Sequence, residues 1–271
     1  MNYIGTKTPL GRVAITGATG GIGSAIARRF AQDSASSSSS SSILLLGRNQ
    51  AKLAVTLQQT QQHVLLHSST DHSTNTTPTP FHPPKLESHV LDVTDINSWK
   101  TVAKTFPDIE ILINVAGLEQ TNLLIRTPPD QADAILQANL HGAVYGCIEV
   151  GRQMVKSRRG RGCIINVSSL LARKGTTGAA VYAAAKAGLI GLTTSLAVEM
   201  SQRGIRVNAV LPGYISTRMT KDLEKDVGLV SKIPAQRFGT PEEVADAVMF
   251  LAKNEYANNC ILNLDGGLSA I

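Results

Sequence analysis

The chain has 271 residues, 42% of them hydrophobic, which supplies enough apolar surface for one α/β domain whose sheet is covered on both faces. Lys and Arg outnumber Asp and Glu by 26 to 20, a formal charge of +6; the excess lacks interleaved aromatics or a nucleic-acid module, so it favours an anionic partner or substrate over nucleic acid. Three cysteines, Cys147, Cys163 and Cys260, sit in apolar segments without a Cys-x-x-Cys pair, which points away from disulfides and metal toward a reducing compartment, and no apolar run approaches the ~20 residues of a membrane span, so the protein is expected to be soluble.

Residues 1–10 lack an Arg-rich amphipathic helix, so no cleavable presequence is expected. The apolar run ending at Thr16 reads as a strand and leads directly into Gly17-Ala-Thr-Gly-Gly21-Ile-Gly23 and a helical pattern at Ile22, Ile26, Ala27 and Phe30. That order suits a dinucleotide. Gly17 permits the tight turn, Gly21 lets the backbone approach a pyrophosphate, Gly23 lets helix pack on strand, and the helix start offers N–H groups and a positive dipole to the phosphates. Residues 34–42 are nearly all serine and residues 67–85 are rich in Ser, Thr, His and Pro; both read as mobile surface insertions that bury too little to offset ordering entropy. Histidines 63, 67, 72, 82 and 89 have irregular spacing and no cysteine support, so a solvated loop is preferred to a metal site.

Further strands are predicted at 43–46, 90–91, 111–115, 164–167, 207–211 and 261–264, all apolar enough to be buried on both faces. Between them, Asp130 after Pro128-Pro129 opens a long helix toward Ser157, and Thr240-Pro-Glu-Glu243 is a capping box that starts a helix ending near Asn254. Segment 221–237 is polar and expected to be mobile. The sequons at Asn75 and Asn166 follow no signal peptide and are set aside. Alternation of this kind predicts a single domain over 1–271: a doubly wound parallel sheet of about seven strands with helices on both faces, its ligands beyond the carboxyl ends of the strands, where Gly17, Asp92, Asn114, Ser169 and Pro212 fall.

The most specific chemistry lies at Tyr182-Ala-Ala-Ala-Lys186, preceded by a strand ending at Ser168-Ser169. Spacing of i, i+4 places both side chains on one helix face, where a cation is expected to favour the phenolate and lower the tyrosine from its usual ~10 toward working pH. A proton relay follows. Ser169 sits at the strand end where it can meet Tyr182, whereas Ser168 faces elsewhere by alternation.

With its Gly-x-x-x-Gly-x-Gly turn and Tyr-x-x-x-Lys, the chain resembles the short-chain dehydrogenase/reductase family. Leu91-Asp92-Val93, Asn114-Val-Ala-Gly117, Asn139, Ser169, Pro212-Gly-Tyr-Ile-Ser-Thr217 and Asp265-Gly-Gly267 occur in family order over nearly the whole chain. The resemblance implies that Tyr182 gives a proton to the substrate carbonyl, Lys186 lowers its pKa and bonds the nicotinamide ribose, Ser169 holds the reacting oxygen and Asn139 helps carry a water chain below the lysine. For the cofactor it implies Gly17, Thr19, Gly21, Ile22 and Gly23 at the phosphates, Asp92 and Val93 at the adenine, Asn114, Ala116 and Gly117 along the wall, and Ile215 and Thr217 at the carboxamide and phosphate.

Arg48 after the second strand suits a 2′-phosphate, to which a guanidinium donates charge-assisted hydrogen bonds, so NADPH/NADP+ is favoured; where many relatives add an arginine in the first glycine turn, this chain has Gly20. Within the family the chain is similar to 3-oxoacyl-acyl-carrier-protein reductases, including the mitochondrial carbonyl reductase type. The residues carrying this are Asn122-Leu-Leu-Ile-Arg126, the stretch Tyr182 to Gly191, Gly204-Ile-Arg-Val-Asn208 and Pro212 to Thr220. The resemblance implies reduction of an acyl-carrier-bound 3-oxoacyl thioester to the (3R)-hydroxyacyl product, a homotetramer built through the long helices, and the mitochondrial matrix, with cytosol as the alternative. Arg203 matches a carrier-docking arginine of these reductases, and Lys156, Arg158, Arg159 and Arg161 form a basic run beside the place of a second, a run equally readable as a solvated helix end where cations favour the C-terminal dipole. Alternatives are a quinone, free-ketone or secondary-alcohol substrate, and a non-catalytic dinucleotide-binding subunit.

Overall fold

A computed structural model of the chain describes residues 11–35, 41–68, 83–157 and 160–271. Seven strands, β1 Arg12–Thr16, β2 Ser42–Gly47, β3 Lys85–Val90, β4 Ile109–Asn114, β5 Gly162–Val167, β6 Ile205–Pro212 and β7 Ile261–Leu264, form one parallel sheet in the order β3-β2-β1-β4-β5-β6-β7. Helices fill the crossovers: α1 Gly21–Ala35, α2 Gln50–Ser68, α3 Ile96–Thr105, α4 Pro129–Leu136, α5 Gly142–Lys156, α6 Ala180–Glu199, α7 Val227–Val230 and α8 Pro241–Lys253. Successive strands are added in one direction from β1 to β3 and in the opposite direction from β4 onward, so a crevice opens at the carboxyl ends of β1 and β4.

Strand side chains alternate between two cores. Val13, Ile15, Ile43, Leu45, Ile111 and Ile113 pack beneath α1 and α8, whereas Ala14, Leu44, Leu46, Leu112 and Ile164 pack beneath α3 and α5. Each fully buried Leu or Ile contributes roughly 1.5–3 kcal/mol, which is why the apolar runs mark the central strands so plainly. On the second face Trp99 of α3 is fully buried with its Nε1 donating to Val93 O at 3.0 Å. Gly146 of α5 lies against that ring, and a Cβ there would approach it to 2.7 Å.

Several expectations change. The strand read at 90–91 is β3, six residues long and mostly polar, because it lies at the sheet edge where burial is partial. The helix read from Asp130 to Ser157 is α4 and α5 joined by a π-turn, Gln137–His141. Ser34 belongs to the last turn of α1, where its Oγ donates to Phe30 O at 2.9 Å, and Ser42 opens β2; residues 36–40 and 69–82, with His72, His82 and the Asn75 sequon, lie outside the described residues, as do residues 1–10. His63 falls on α2 and His89 on β3. Segment 221–237 folds into the turn Leu223–Lys225 and α7, with Leu229, Val230 and Ile233 packed around Leu170, Phe238 and Leu268. Finally, α6 is 20 residues long with a mean hydropathy of 1.4, long and apolar enough to cross a membrane by length and composition. The sequence reading passed over it because its apolarity comes from Ala, Gly and Leu interspersed with Lys186 and Thr rather than from an unbroken run. It packs on β6, and an 18-residue window along it is only 28% buried.

Candidate active site

The glycine turn joins β1 to α1 beneath the crevice. Gly17 has φ +62, and a Cβ there would lie 2.8 Å from Ala116 Cα; on Gly23 it would lie 2.3 Å from Gly17 O. Both positions therefore demand glycine. Thr217 closes the turn from above, since a Cβ on Gly21 would meet its Cγ2 at 2.9 Å, and Thr19 stands beside Gly47. Ile22 packs against the core below, and the first-turn N–H groups of α1, at the carboxyl end of β1, have no intrahelical acceptors. Bare backbone, a helix start and a hydroxyl at the rim fit the pyrophosphate of a dinucleotide.

The opposite wall follows β4. Thr16 Oγ1 accepts from Val115 N at 2.9 Å and Ala116 N at 3.2 Å, which fixes the wall against the turn. Asn114 donates from Nδ2 to Asn166 Oδ1 at 2.9 Å, while its own Oδ1 is buried without a partner among the described residues. Past β3, Asp92 accepts from Thr94 N and Thr94 Oγ1 at 2.9 and 2.8 Å. Partial burial alone would raise this carboxyl; the two Thr94 bonds and the Arg48 charge hold it below its ordinary range. Arg48 is exposed at the end of β2, and Val93 lies against Gly142. Ile215 is buried at 5% exposure next to Thr217.

Ser169, Tyr182 and Lys186 come together at the carboxyl end of β5. Ser169 Oγ accepts from Leu171 N at 3.1 Å and lies close enough to the Tyr182 phenol to favour its ionised form. Lys186 is 4% exposed, its Nζ donates to Val167 O at 2.9 Å and lies 5.6 Å from the centre of the Tyr182 ring. Ser168 turns the other way and donates to Lys186 O at 2.7 Å. Asn139 occupies the π-turn between α4 and α5, its Nδ2 donating to Leu118 O and Ile135 O at 2.8 and 2.9 Å. Its Oδ1 is a buried acceptor with no partner among the described residues, and a Cβ on Gly117 would sit 2.4 Å from that oxygen and 3.7 Å from Lys186 Nζ. Gly117 thus keeps open the gap between amide and ammonium.

The electrostatics differ from the sequence reading. Burial pushes the Tyr182 phenol up, the Ser169 hydroxyl only partly offsets this, and the Glu119 carboxylate pushes it further up. Burial also lowers the Lys186 ammonium to about 8. The expected lowering of the tyrosine is absent because the same burial that brings the pair together strips water from both, and the ammonium is directed at the Val167 carbonyl. What results is a phenol that stays protonated and can donate.

The residues of the carrier-docking reading lie at the other end of the sheet. Arg203 lies in the turn before β6 and Lys156 ends α5 before β5, both at the amino ends of strands, about 25 Å of strand away from Ser169, Tyr182 and Lys186. Arg161 is paired with Glu110 at 3.1 Å, and Arg158 and Arg159 lie outside the described residues. Sequence proximity along the turns could not reveal which end of the sheet these residues occupy. Sequence reasoning missed two polar anchors, Thr16 and Gln120. Thr16, the last strand residue before the glycine turn, carried a faint signal; Gln120 carried none.

A family model described as enoyl-(acyl carrier protein) reductase matches residues 44–269. Among relatives, the 3-oxoacyl-acyl-carrier-protein reductase FabG of Thermotoga maritima is 41% identical over 69% of this chain and 78% of its own. Carbonyl reductase family member 4 of Xenopus tropicalis is 40% identical over 64% and 72%. Among solved structures, a short chain dehydrogenase/reductase family protein superposes with a TM-score of 0.81 at 28% identity, covering 98% of this chain and 99% of that one. A structure from Agrobacterium tumefaciens, described as a candidate 2-deoxy-D-gluconate 3-dehydrogenase with bound NADP, gives 0.78 at 27% identity, covering 96% of each.

Proposed function

The chain belongs to the short-chain dehydrogenase/reductase family of oxidoreductases, which bind a nicotinamide dinucleotide, and from that premise we propose that it uses NADPH to reduce a 3-oxoacyl thioester on acyl carrier protein to the (3R)-hydroxyacyl product in fatty acid biosynthesis. The observation that carries the reading is the convergence of Ser169, Tyr182 and Lys186 beside the glycine turn. The cofactor supplies the hydride. Gly17, Thr19, Gly21, Ile22, Gly23 and Thr217 would hold its phosphates, Asp92 and Val93 its adenine, Asn114, Ala116, Gly117 and Ile215 its remaining length, and Arg48 would select a 2′-phosphate. Ser169 orients the substrate carbonyl and Tyr182 donates its proton to the carbonyl oxygen, a transfer worth typically 10²–10⁴-fold. Lys186, charged below about pH 8, bonds the ribose and stabilises the phenolate left behind. Asn139 offers its free Oδ1 to the water that returns a proton to the lysine side of the relay.

Similarity to reductases of acyl-carrier substrates supports the thioester, and a formal charge of +6 complements an acidic carrier. Similarity to carbonyl reductase family member 4 supports a second reading, reduction of quinones or free ketones, with the same residues in the same roles. The presence of Ser169, Tyr182 and Lys186 speaks against a non-catalytic subunit. We assign a homotetramer built through α5 and α6 on the apolar outer face of α6, and the mitochondrial matrix over the cytosol on the sequence resemblance to the mitochondrial carbonyl reductase type. The test is NADPH oxidation with acyl-carrier, coenzyme A and free carbonyl substrates. The purified chain is expected to prefer the acyl-carrier thioester, and Tyr182→Phe to lose at least about 10²-fold in kcat while folding normally; no turnover of any thioester refutes the leading reading.

A further inference from the structure

Helix α6 begins without a cap of its own. The residue at its N-cap is Ala179, whose side chain has no oxygen, yet the N–H groups of Val181 and Tyr182 are the second and third of the helix and need acceptors. Both find the same atom: Gln120 Oε1 accepts from Val181 N at 2.8 Å and from Tyr182 N at 3.1 Å. The amide is locked in that orientation, because its Nε2 donates to Asn122 O at 3.0 Å and to Thr127 Oγ1 at 3.2 Å, which uses both donors and both lone pairs. Gln120 is 8% exposed, so little solvent can stand in for it.

Its placement links two halves of the site. The segment carrying Gln120 runs on from Gly117 and Leu118, and Leu118 O accepts from Asn139 Nδ2. The same few residues therefore hold Asn139 at one end and the backbone of Tyr182 at the other. The loop before α6 is pressed onto this segment as well, since Gly178, with φ +80, would bring a Cβ to 3.3 Å from Thr121 O.

We propose that Gln120 is a positioning residue: by capping α6 from the wall of the crevice, it sets the Tyr182 hydroxyl against Ser169 and against the cofactor side of the site. A local cap would stabilise the helix equally well, but it would tie Tyr182 only to its own loop. The assignment rests on the reading of Tyr182 as the proton donor. Misplacing such a group by about 1 Å can cost on the order of 10²-fold in rate.

The experiment compares the parent, Gln120→Leu, and Gln120→Leu combined with Ala179→Ser, which supplies a hydroxyl at the N-cap. Gln120→Leu is expected to lower Tm by roughly 2–4 °C or more and kcat about 10- to 100-fold, with the NADPH KM within about twofold. Adding Ala179→Ser should recover much of the Tm and little of the kcat. Recovery of both together, or a Gln120→Leu enzyme whose kcat stays within about twofold of the parent, would reduce Gln120 to a structural cap and overturn the proposal. Should Gln120→Leu not fold, Gln120→Asn, one methylene short of the N–H pair, takes its place with the same expected split. Crystal structures of the parent and the variant report the Tyr182 hydroxyl position without reference to any reaction. An unmoved hydroxyl overturns the proposal, whereas a parent that reduces no carbonyl sinks the reductase reading and leaves this comparison decisive for Gln120.

Discussion

At the scale of single residues, Lys186 carries opposed demands. Its ammonium is useful beside Tyr182 and costly to bury, and the balance leaves it titrating at about 8. The reduction rate is therefore expected to fall as pH rises through about 8, a limb that a pH–kcat profile should show and that Lys186→Met, already slow, should lack. Stability moves the opposite way. The folded-state value lies below the ordinary 10.5, so below pH 8 both folded and unfolded chains are protonated and the folded state bears the whole cost, on the order of 3 kcal/mol. Between about 8 and 10.5 the folded state releases its proton first and the cost disappears. Lys186→Met should accordingly raise the denaturation midpoint at pH 7 and raise it much less at pH 10. Arg48 is a different case, exposed and free to meet a phosphate. Arg48→Ala is expected to raise the NADPH KM about 10- to 100-fold, as losing charge-assisted hydrogen bonds of about 1.5–3 kcal/mol implies, while leaving the NADH KM nearly unchanged in steady-state assays. The spacing of Tyr182 and Lys186 was legible in the sequence because an i, i+4 pair is a local fact. The direction of their pKa shifts was not, since burial depends on what packs around them.

At the scale of elements, sequence and structure agree best where one stretch contains its own instructions. Thr240 accepts from Glu243 N at 3.2 Å and Glu243 Oε2 accepts from Thr240 N at 2.8 Å, so the capping box read at α8 is closed in both directions. Thr240→Ala should cost about 1 kcal/mol, or roughly 2–4 °C in Tm by calorimetry. Its kcat should stay within about twofold, because α8 packs on the face of the sheet opposite α6. A large loss of activity without loss of stability would contradict that layout. Agreement is weaker at β3, where Lys85, Glu87 and His89 give no apolar run because an edge strand needs none. It is weaker again at the π-turn, Gln137–His141, which carries Asn139 and which no periodicity of 3.6 would suggest.

At the scale of the whole molecule, the outer surface of α5 and α6 is more apolar than a free face requires. Ile148, Val155 and Val198 are exposed at 37%, 36% and 72% along these two helices. These exposed apolar side chains are the basis for the proposed assembly through α5 and α6. Sedimentation of the purified chain is expected to give four copies, and replacing Ile148 and Val198 with Asp should reduce the assembly to smaller species; a parent that sediments as a single chain refutes the tetramer.

The sequence by itself determined the alternation of strands and helices, the glycine turn and the Tyr182–Lys186 pair, because each follows from residues within a few positions of one another. Tertiary structure alone decided the rest. Gln120 meets Tyr182 across 62 positions, Thr16 meets Ala116 across 100, and Lys186 loses its water to strands that lie elsewhere in the chain. Hydrogen-bond partners and desolvation are properties of packing between distant segments, and no local pattern encodes them.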